Sequence, residues 1–494
     1  MCLLKIRTHT RYLMSLFNNY NRNIKLVYSG SFVNYQGKEF LLNGLPPQVN
    51  AYILDRLKDN ELAFQSDIVA ELQSENESST WLAHVAHKNF YNYYKLHNDI
   101  GNIVTVDELV YDNSVYLYPV EICFTLNSIY GKYSIKLNGL DYDYEFIDTL
   151  DPKVLLGLQT GNIKLVLNLI HDPLEHSENL IEIEKYFNNH GISGENIIVI
   201  GGNTFDSHYD SYPNSKIKIT NGYIVLNQLA DKFQEYPRVG SLGYKSEYVK
   251  PEDLDINHIR SKKFICMNRN MHRPHRWLSA YMAFKHKLLD DSIFSFVALH
   301  DYTNKHRIYN AISHFTGESE GVELIVEAIV DNIPLEVDTA HLPIDQKHSF
   351  NLNNNNKALF AESYINIVNE TSFEFGGGNL PFISEKTFHH PIINLQPFIV
   401  IGNPFTLKTL RDLGFKTFGS LIDETYDECV DFRNRFELIN AEIYRLSALS
   451  LSEIHDIYYQ LTDVLIHNQN HAKTFGKYNP FNKTFNDIRK WYLK

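Results

Sequence analysis

Three stretches in the second half of the chain decide the fold: YINIVNET at 364–371, FISEKTF at 382–388 and PFIVIG at 397–402. The first and third contain short runs of β-branched and aromatic residues, which are typical of buried parallel strands. The second contains Ser384, a good N-cap for a helix. The order strand, loop, helix, strand predicts a β-α-β unit of an α/β domain.

Glu385 and Lys386 follow the cap and are predicted to lie in the first turn of this helix. A cation there opposes the helix dipole unless an anion lies nearby, and a bound phosphate would supply that anion. Ser384, Glu385 and Lys386 are therefore candidates for a phosphate-binding site. The alternative interpretation is a capped surface helix, because such tripeptides are common by chance.

A second basic segment, NRNMHRPHR at 268–276, follows the predicted strand KFICM at 263–267. Pro274 suits the first position of a helix. Arg269, Arg273 and Arg276 would then cluster where arginine is disfavoured unless an anion compensates, and arginine suits bidentate phosphate binding. In an open α/β domain this segment and the Ser384 segment both lie where ligands bind. The alternative is a solvated basic helix start with ordinary surface salt bridges.

Together these segments resemble the α1,3/4-fucosyltransferase family and related glycosyltransferases over roughly residues 260–430. The resemblance implies inverting, metal-independent transfer of fucose from GDP-fucose to a carbohydrate hydroxyl, with a nucleotide-sugar donor as substrate and no cofactor. It assigns the donor phosphate to Lys386 and to Arg273 or Arg276, and the ribose or sugar hydroxyls to Glu385. The full set of predicted donor-binding residues is Asn268, Arg269, Arg273, Arg276, Asn369, Glu370, Ser384, Glu385 and Lys386.

An inverting transferase also needs a general base for the acceptor hydroxyl. Candidates follow the apolar run at 163–170, which is predicted to be a central strand. Glu175 is favoured, with Asp172 next, because the base of the resembling family is an acidic residue of the N-terminal domain. The alternative is a polar loop leaving a strand. No metal site is predicted, since adjacent helical residues such as His389 and His390 project about 100° apart.

The predicted fold class is α/β, with two Rossmann-like domains of the GT-B type. The first includes the β-α-β unit at 163–200, and further strands are predicted at 115–122, 295–299 and 333–337. Two departures from the family pattern are a glycine-rich loop at 373–380 and Pro391, which should kink or shorten its helix. The predicted domains are an N-terminal extension of unknown fold at 1–100, Rossmann-like domains at 101–255 and 256–430, and C-terminal helices at 431–494.

Composition limits the classes of function. The chain has 494 residues and a net charge of −13, which argues against broad nucleic-acid binding but leaves room for a local basic pocket. Four scattered cysteines without a Cys-x-x-Cys pair indicate neither a zinc site nor a disulfide framework. Neither a signal peptide nor an apolar run of about 20 residues is apparent, so a cytoplasmic protein without a transmembrane segment is expected.

Two other functions stay open at this stage. One is a catalytically silent protein that binds a sugar nucleotide or glycan. The other is a transferase that acts on a modified nucleic-acid base, which the acidic net charge disfavours.

Overall fold

The computed structural model describes residues 25–28, 31–35, 38–42, 103–110, 115–121, 129, 133–137, 140–169, 177–201, 215–221, 248–268, 273–296, 304–335, 337, 357–373, 381–475 and 491. The chain divides into two compact units, Met1–Ile224 with Pro480–Lys494 and Val225–Asn479. The division falls before the expected boundary at 255/256, and the last residues of the expected helical tail group with the first unit.

The first unit is built on a parallel sheet of six strands. In chain order the strands of this unit are β1 (Lys25–Tyr28), β2 (Ser31–Tyr35), β3 (Lys38–Leu42), β4 (Ile103–Thr105), β5 (Tyr116–Glu121), β6 (Tyr133–Leu137), β7 (Leu140–Tyr144), β8 (Ile163–Leu169), β9 (Ile197–Gly201) and β10 (Lys218–Asn221). The sheet order is β10-β9-β8-β5-β1-β4, and β2-β3 and β6-β7 form antiparallel hairpins. The structure thus corrects the predicted N-terminal extension, since β1 belongs to this sheet.

Two helices of the first unit follow from their sequences. Helix α1 (Pro152–Thr160) begins after Asp151, whose carboxylate accepts the Lys153 N–H, and ends at Gly161 with φ +79°. Helix α2 (Ser177–Asn189) connects β8 to β9, which pair in parallel. The predicted β-α-β unit is confirmed.

The second unit holds a four-stranded parallel sheet of β11 (Lys262–Asn268), β12 (Ser292–Phe296), β13 (Ser363–Asn369) and β14 (Phe398–Ile401), in the order β12-β11-β13-β14. Every residue of β13 is buried, as its apolar sequence predicts. The helices of this unit are α3 (Trp277–Lys285), α4 (Lys305–Thr316), α5 (Val322–Asn332), α6 (Lys357–Ala361), α7 (Glu385–Thr387), α8 (Thr406–Asp412), α9 (Phe432–Ser447), α10 (Leu451–Gln460) and α11 (Thr462–Phe475).

Two strand predictions in this unit need correction. Strand β12 begins three residues before the predicted segment 295–299 and overlaps it at Ser295 and Phe296, while 297–299 lie outside the described residues. The predicted strand at 333–337 is wrong. Within the part of it that the structure describes, only Leu335 pairs, in an isolated antiparallel bridge to Phe296.

Helix α7 is short for the reason that the sequence indicates. It continues into a π-helical turn, Phe388–Ile392, which contains Pro391 and ends before β14. A proline removes one backbone donor and crowds the preceding turn, so the α-helical pattern cannot continue. Across the described ranges, the helices are all too short or too polar to cross a lipid bilayer.

Candidate functional site

The sheet of the second unit changes its winding direction between β11 and β13. From β11 the chain passes to β12 on one side, and then to β13 and β14 on the other. Open α/β sheets bind ligands beyond the carboxyl ends of their strands at such a switch point. Because β11 ends at Asn268 and β13 ends at Asn369, the two predicted phosphate-binding segments begin here.

His275 links these two segments. It lies in the turn Pro274–Arg276 that opens α3, and only 4% of its surface is exposed. Its Nε2 donates a hydrogen bond to the main-chain oxygen of Glu370 at 2.9 Å, and its ring stacks on Phe373 at 6.1 Å between centroids. The turn after β11 is therefore held against the segment after β13.

Three cationic side chains act electrostatically on His275. Burial lowers the pKa of His275 well below its usual value, and the positive charges of Arg276, Arg273 and Lys386 lower it further, against the hydrogen bond to Glu370. Arg276 is buried, whereas Arg273 and Lys386 are half-buried. Cationic side chains from both segments thus act on one neutral imidazole at the switch point.

The carboxylate of Glu370 is fully buried and bound by protein groups. It accepts the Ser384 N–H at 3.1 Å, the Thr371 N–H at 3.2 Å and the Thr387 hydroxyl. Glu370 therefore supplies the negative charge at the start of α7 that the sequence argument assigned to a bound phosphate. Its side chain joins the end of β13 to α7.

Ser384 and Lys386 lie beside Glu370, and together with Thr371 and Thr387 these residues form what we call the Glu370 corner. The Ser384 hydroxyl accepts the Lys386 N–H at 3.2 Å, as an N-cap residue does, and the Lys386 Nζ lies 3.2 Å from the Thr371 hydroxyl. The described side chains of the two predicted segments then include three cations, Arg273, Arg276 and Lys386, against one carboxylate. Arginine and lysine side chains are the groups that bind phosphates in proteins.

Asn268 and Asn369 lie beneath this corner and share one neighbour. Their Nδ2 atoms lie 3.3 and 3.4 Å from the sulfur of Cys266, and Asn268 also bonds the Ser279 hydroxyl at 3.0 Å. Burial raises the pKa of the Cys266 thiol to about 12, so it stays neutral.

Some buried polar atoms at this edge have no hydrogen-bond partner among the residues that the structure describes. They are Asn369 Oδ1 and both side-chain amide atoms of Asn403, which follows β14. A buried polar atom without a partner lowers the stability of the folded protein by roughly 1–3 kcal/mol. A hydrogen bond to a polar ligand is one way to satisfy such an atom.

Arg435 on α9 contacts the segments that follow β13 and β14 at this edge of the sheet. Its buried guanidinium donates to the main-chain oxygens of Gly402 at 3.1 Å, Cys429 at 2.8 Å and Phe373. It also lies 4.6 Å from the centroid of the Phe373 ring. The segments that follow β13 and β14 are thereby tied to one helix.

Several predicted residues fall outside the described part of the chain. Arg269, Asp172 and Glu175 lie there entirely, as does most of the glycine-rich loop, at 374–380. Glu385 is placed in α7 by its main chain only, and its side chain is not described. Among the residues that the structure describes, no group of three or more His, Cys, Asp and Glu side chains is arranged to hold a metal ion.

The sequence interpretation missed His275 and Arg435. The signal for His275 was its place between Arg273 and Arg276, directly after Pro274. Arg435 carries no local signal, because it is one charged residue on an amphipathic helix and two of its partners, Gly402 and Phe373, lie 33 and 62 residues away in the chain.

Comparisons with known proteins add little to this description. No protein-family model and no curated protein sequence matches the chain. Among solved structures, it is similar to one from work on enzymatic glycosyl transfer with retention by trehalose-6-phosphate synthase. That similarity covers 95% of this chain and 99% of the other, at 13% identity and a TM-score of 0.35. A likeness of this degree does not assign a function.

Proposed function

We propose that this protein is a glycosyltransferase that moves a sugar from a nucleoside-diphosphate donor to an acceptor hydroxyl. One observation supports the proposal: the His275–Glu370 hydrogen bond holds the turn that carries Arg273 and Arg276 against the segment after β13, whose helix α7 carries Lys386, at the switch point of the sheet. A departing diphosphate needs such fixed positive charges, since they stabilise the charge that develops as the glycosidic bond breaks.

Each group has a defined part in the proposed reaction. The acceptor hydroxyl loses its proton to a carboxylate, its oxygen bonds to the anomeric carbon, and the bond from that carbon to the diphosphate oxygen breaks with its electron pair leaving on the diphosphate. Arg273, Arg276 and Lys386 bind the leaving diphosphate. Because protein cations supply this charge, the proposal requires no metal ion or cofactor.

The finer assignments rest on the resemblance of residues 260–430 to the fucosyltransferases. They are GDP-fucose as donor, a carbohydrate as acceptor, inversion at the anomeric carbon, and Glu385 as a ligand of the donor hydroxyls. Glu175, or else Asp172, is the proposed base.

A donor screen tests the proposal. Purified protein is titrated with GDP, UDP, CDP and ADP by isothermal calorimetry, and the corresponding sugar nucleotides are assayed for hydrolysis and transfer. One nucleotide should bind, and Lys386→Ala should weaken that binding by about 10- to 100-fold, the loss expected for one charge-assisted hydrogen bond. Lys408→Ala, which removes an exposed lysine paired with Asp412 on α8, is the matched control and should bind normally.

The outcomes separate the candidate functions. Equal affinity of Lys386→Ala, Arg273→Gln and the wild-type protein for the nucleotide contradicts the diphosphate site. Binding without hydrolysis or transfer of any sugar nucleotide supports a silent binding protein instead. Transfer to modified DNA but not to oligosaccharides supports the nucleic-acid alternative.

A further inference from the structure

A pocket of about 540 Å³ lies beside the turn that carries Arg273 and Arg276. Pro274 and Trp277 form one wall, and α4 forms the other through Arg307, Asn310, Ala311 and His314. Spacings of three and four residues place these helical side chains on one face. Its volume falls within the range of about 300–1,000 Å³ that is usual for small-molecule sites.

The pocket shares a wall with the cation cluster. Pro274 and Trp277 are next to Arg273 and Arg276 in the chain, so the pocket borders the segment that carries these two arginines. The turn also contacts α4 directly, since the ring of His275 packs edge-on against Phe315 at 6.5 Å. A ligand whose charged end lies at the cations can therefore extend into the pocket.

The lining of the pocket favours a flat, polar-edged group. Its surface is largely apolar, with Pro274, Trp277 and Ala311 as walls, while polar groups are supplied by Asn304, Arg307 and Asn310. Arg307 is the only Lys or Arg among the described residues that line it, and none of those residues is a carboxylate. A planar guanidinium and an amide can bond the acceptor edge of a heterocycle whose faces lie against apolar walls.

We infer that this pocket binds the nucleoside of the donor, with the base between Pro274 and α4 and the diphosphate extending to Arg273, Arg276 and Lys386. The inference rests on the proposed function and adds the part of the site that distinguishes one nucleotide from another. Asn310 is the residue best placed to test it, because it is exposed on α4 and its amide lies 3.1 Å from His306 Nε2.

The experiment compares pyrophosphate with nucleoside diphosphates. Calorimetry measures the affinity of the full chain for pyrophosphate, GDP, UDP, CDP and ADP. The wild-type protein should bind one nucleoside diphosphate at least about tenfold more tightly than pyrophosphate. Asn310→Trp, which fills the pocket, should remove that difference and leave pyrophosphate binding unchanged.

Two further variants complete the test. Leu324→Trp adds the same indole at an exposed position of α5 that does not line the pocket, and should keep the wild-type preference. Arg307→Ala, a truncation that adds no bulk, should reduce the preference by about fivefold if the base bonds the guanidinium. It keeps the inference testable should Asn310→Trp fail to fold.

Failure of this inference is distinguishable from failure of the proposed function. Pyrophosphate binding that depends on Lys386, without added affinity from any nucleoside, overturns the nucleoside pocket alone. Full nucleoside preference in both Asn310→Trp and Arg307→Ala overturns it as well. Absence of binding by pyrophosphate and by all four nucleotides overturns the diphosphate site and the pocket together.

Discussion

The two ends of the sheet in the second unit use cations in opposite ways. At the amino end, Arg260 is buried and donates to the main-chain oxygen of Ser363 at 2.6 Å and to the Tyr458 hydroxyl at 2.7 Å. Its guanidinium also lies 4.1 Å from the Tyr458 ring centroid and 5.3 Å from that of Tyr364. The hydrogen bonds of this guanidinium therefore connect the start of β13 to helix α10.

At the carboxyl end the cations converge instead on a neutral histidine. Arg273, Arg276 and Lys386 come from two segments, and the one described carboxylate among those segments, that of Glu370, is engaged by main-chain and hydroxyl donors. The comparison teaches that burial of a cation is not itself a functional signal. The proposed functional signal is cations from different segments that lie together at a switch point of the sheet.

Removal of Arg260 should produce the largest loss of stability. In Arg260→Met the buried Tyr458 hydroxyl loses the guanidinium as donor and the Ser363 oxygen loses one of its donors, the other being Gln396 Nε2, which should lower the free energy of unfolding by about 3 kcal/mol. Urea denaturation of the full chain measures this loss. Lys408→Met, at an exposed site, should change it by less than about 0.5 kcal/mol. If Arg260→Met were as stable as the wild-type protein, Arg260 would have no structural role at the amino end of the sheet.

Glu370→Gln should have the next largest effect and lower the free energy of unfolding by about 2 kcal/mol. An amide cannot replace the negative charge at the start of α7, and it cannot accept all the hydrogen bonds that the carboxylate accepts. Glu362→Gln is a matched control, since Glu362 directly precedes β13 as Glu370 directly follows it. Glu362 is half-exposed and lies 3.5 Å from His258, so its change should cost less than about 0.5 kcal/mol. Equal losses in both variants, measured by urea denaturation, would show that Glu370 has no special place in the corner.

Much of the fold was predictable because the central strands are apolar throughout. The runs at 163–170 and 263–267 became β8 and β11, and the two flanking runs of the opening motif became β13 and β14. Pairing was not predictable in the same way. Strand β1 lies in the segment predicted as an extension of unknown fold, and its place between β5 and β4 depends on partners about 80 to 90 residues away.

The candidate site was predictable as two segments and not as a set of contacts. Sequence placed both segments at the carboxyl ends of strands, since that follows from the β-α order alone. It did not reveal that Glu370 would bind Ser384 and Thr387, 14 and 17 residues further along the chain. The contact between His275 and Glu370 could not be predicted without knowing that β11 and β13 are neighbours in the sheet.

The pH dependence of stability tests the neutral histidine directly. Burial, with Arg276, holds the pKa of His275 well below 6.5, so the folded protein leaves it neutral while the unfolded chain takes up a proton below about pH 6.5. Acidification from pH 7.5 to 5.5 should therefore cost the wild-type protein about 1.4 kcal/mol through this group alone.

His275→Gln isolates that contribution, because its Nε2 can still donate to Glu370 but does not titrate. The difference in unfolding free energy between wild type and variant should shrink or reverse as pH falls through that range. His467→Gln, which replaces a half-buried histidine on α11, is the control for a His-to-Gln replacement elsewhere in the chain. A parallel pH profile for His275→Gln would mean that His275 is charged or has an ordinary pKa in the folded state.

Arg273→Gln should have the smallest effect on stability and the clearest effect on binding. Arg273 is half-buried and precedes the first helical residue of its turn, so its replacement should change the free energy of unfolding by less than about 0.5 kcal/mol. Affinity for a nucleoside diphosphate should nevertheless fall by about tenfold, because a guanidinium contributes charge-assisted hydrogen bonds to phosphate that an amide cannot. Arg260 should show the reverse: in a destabilised but still folded Arg260→Lys protein, nucleotide affinity should be unchanged. If instead both arginines altered stability and affinity together, the two ends of the sheet would not be functionally distinct, and the cations at the switch point would be structural ones.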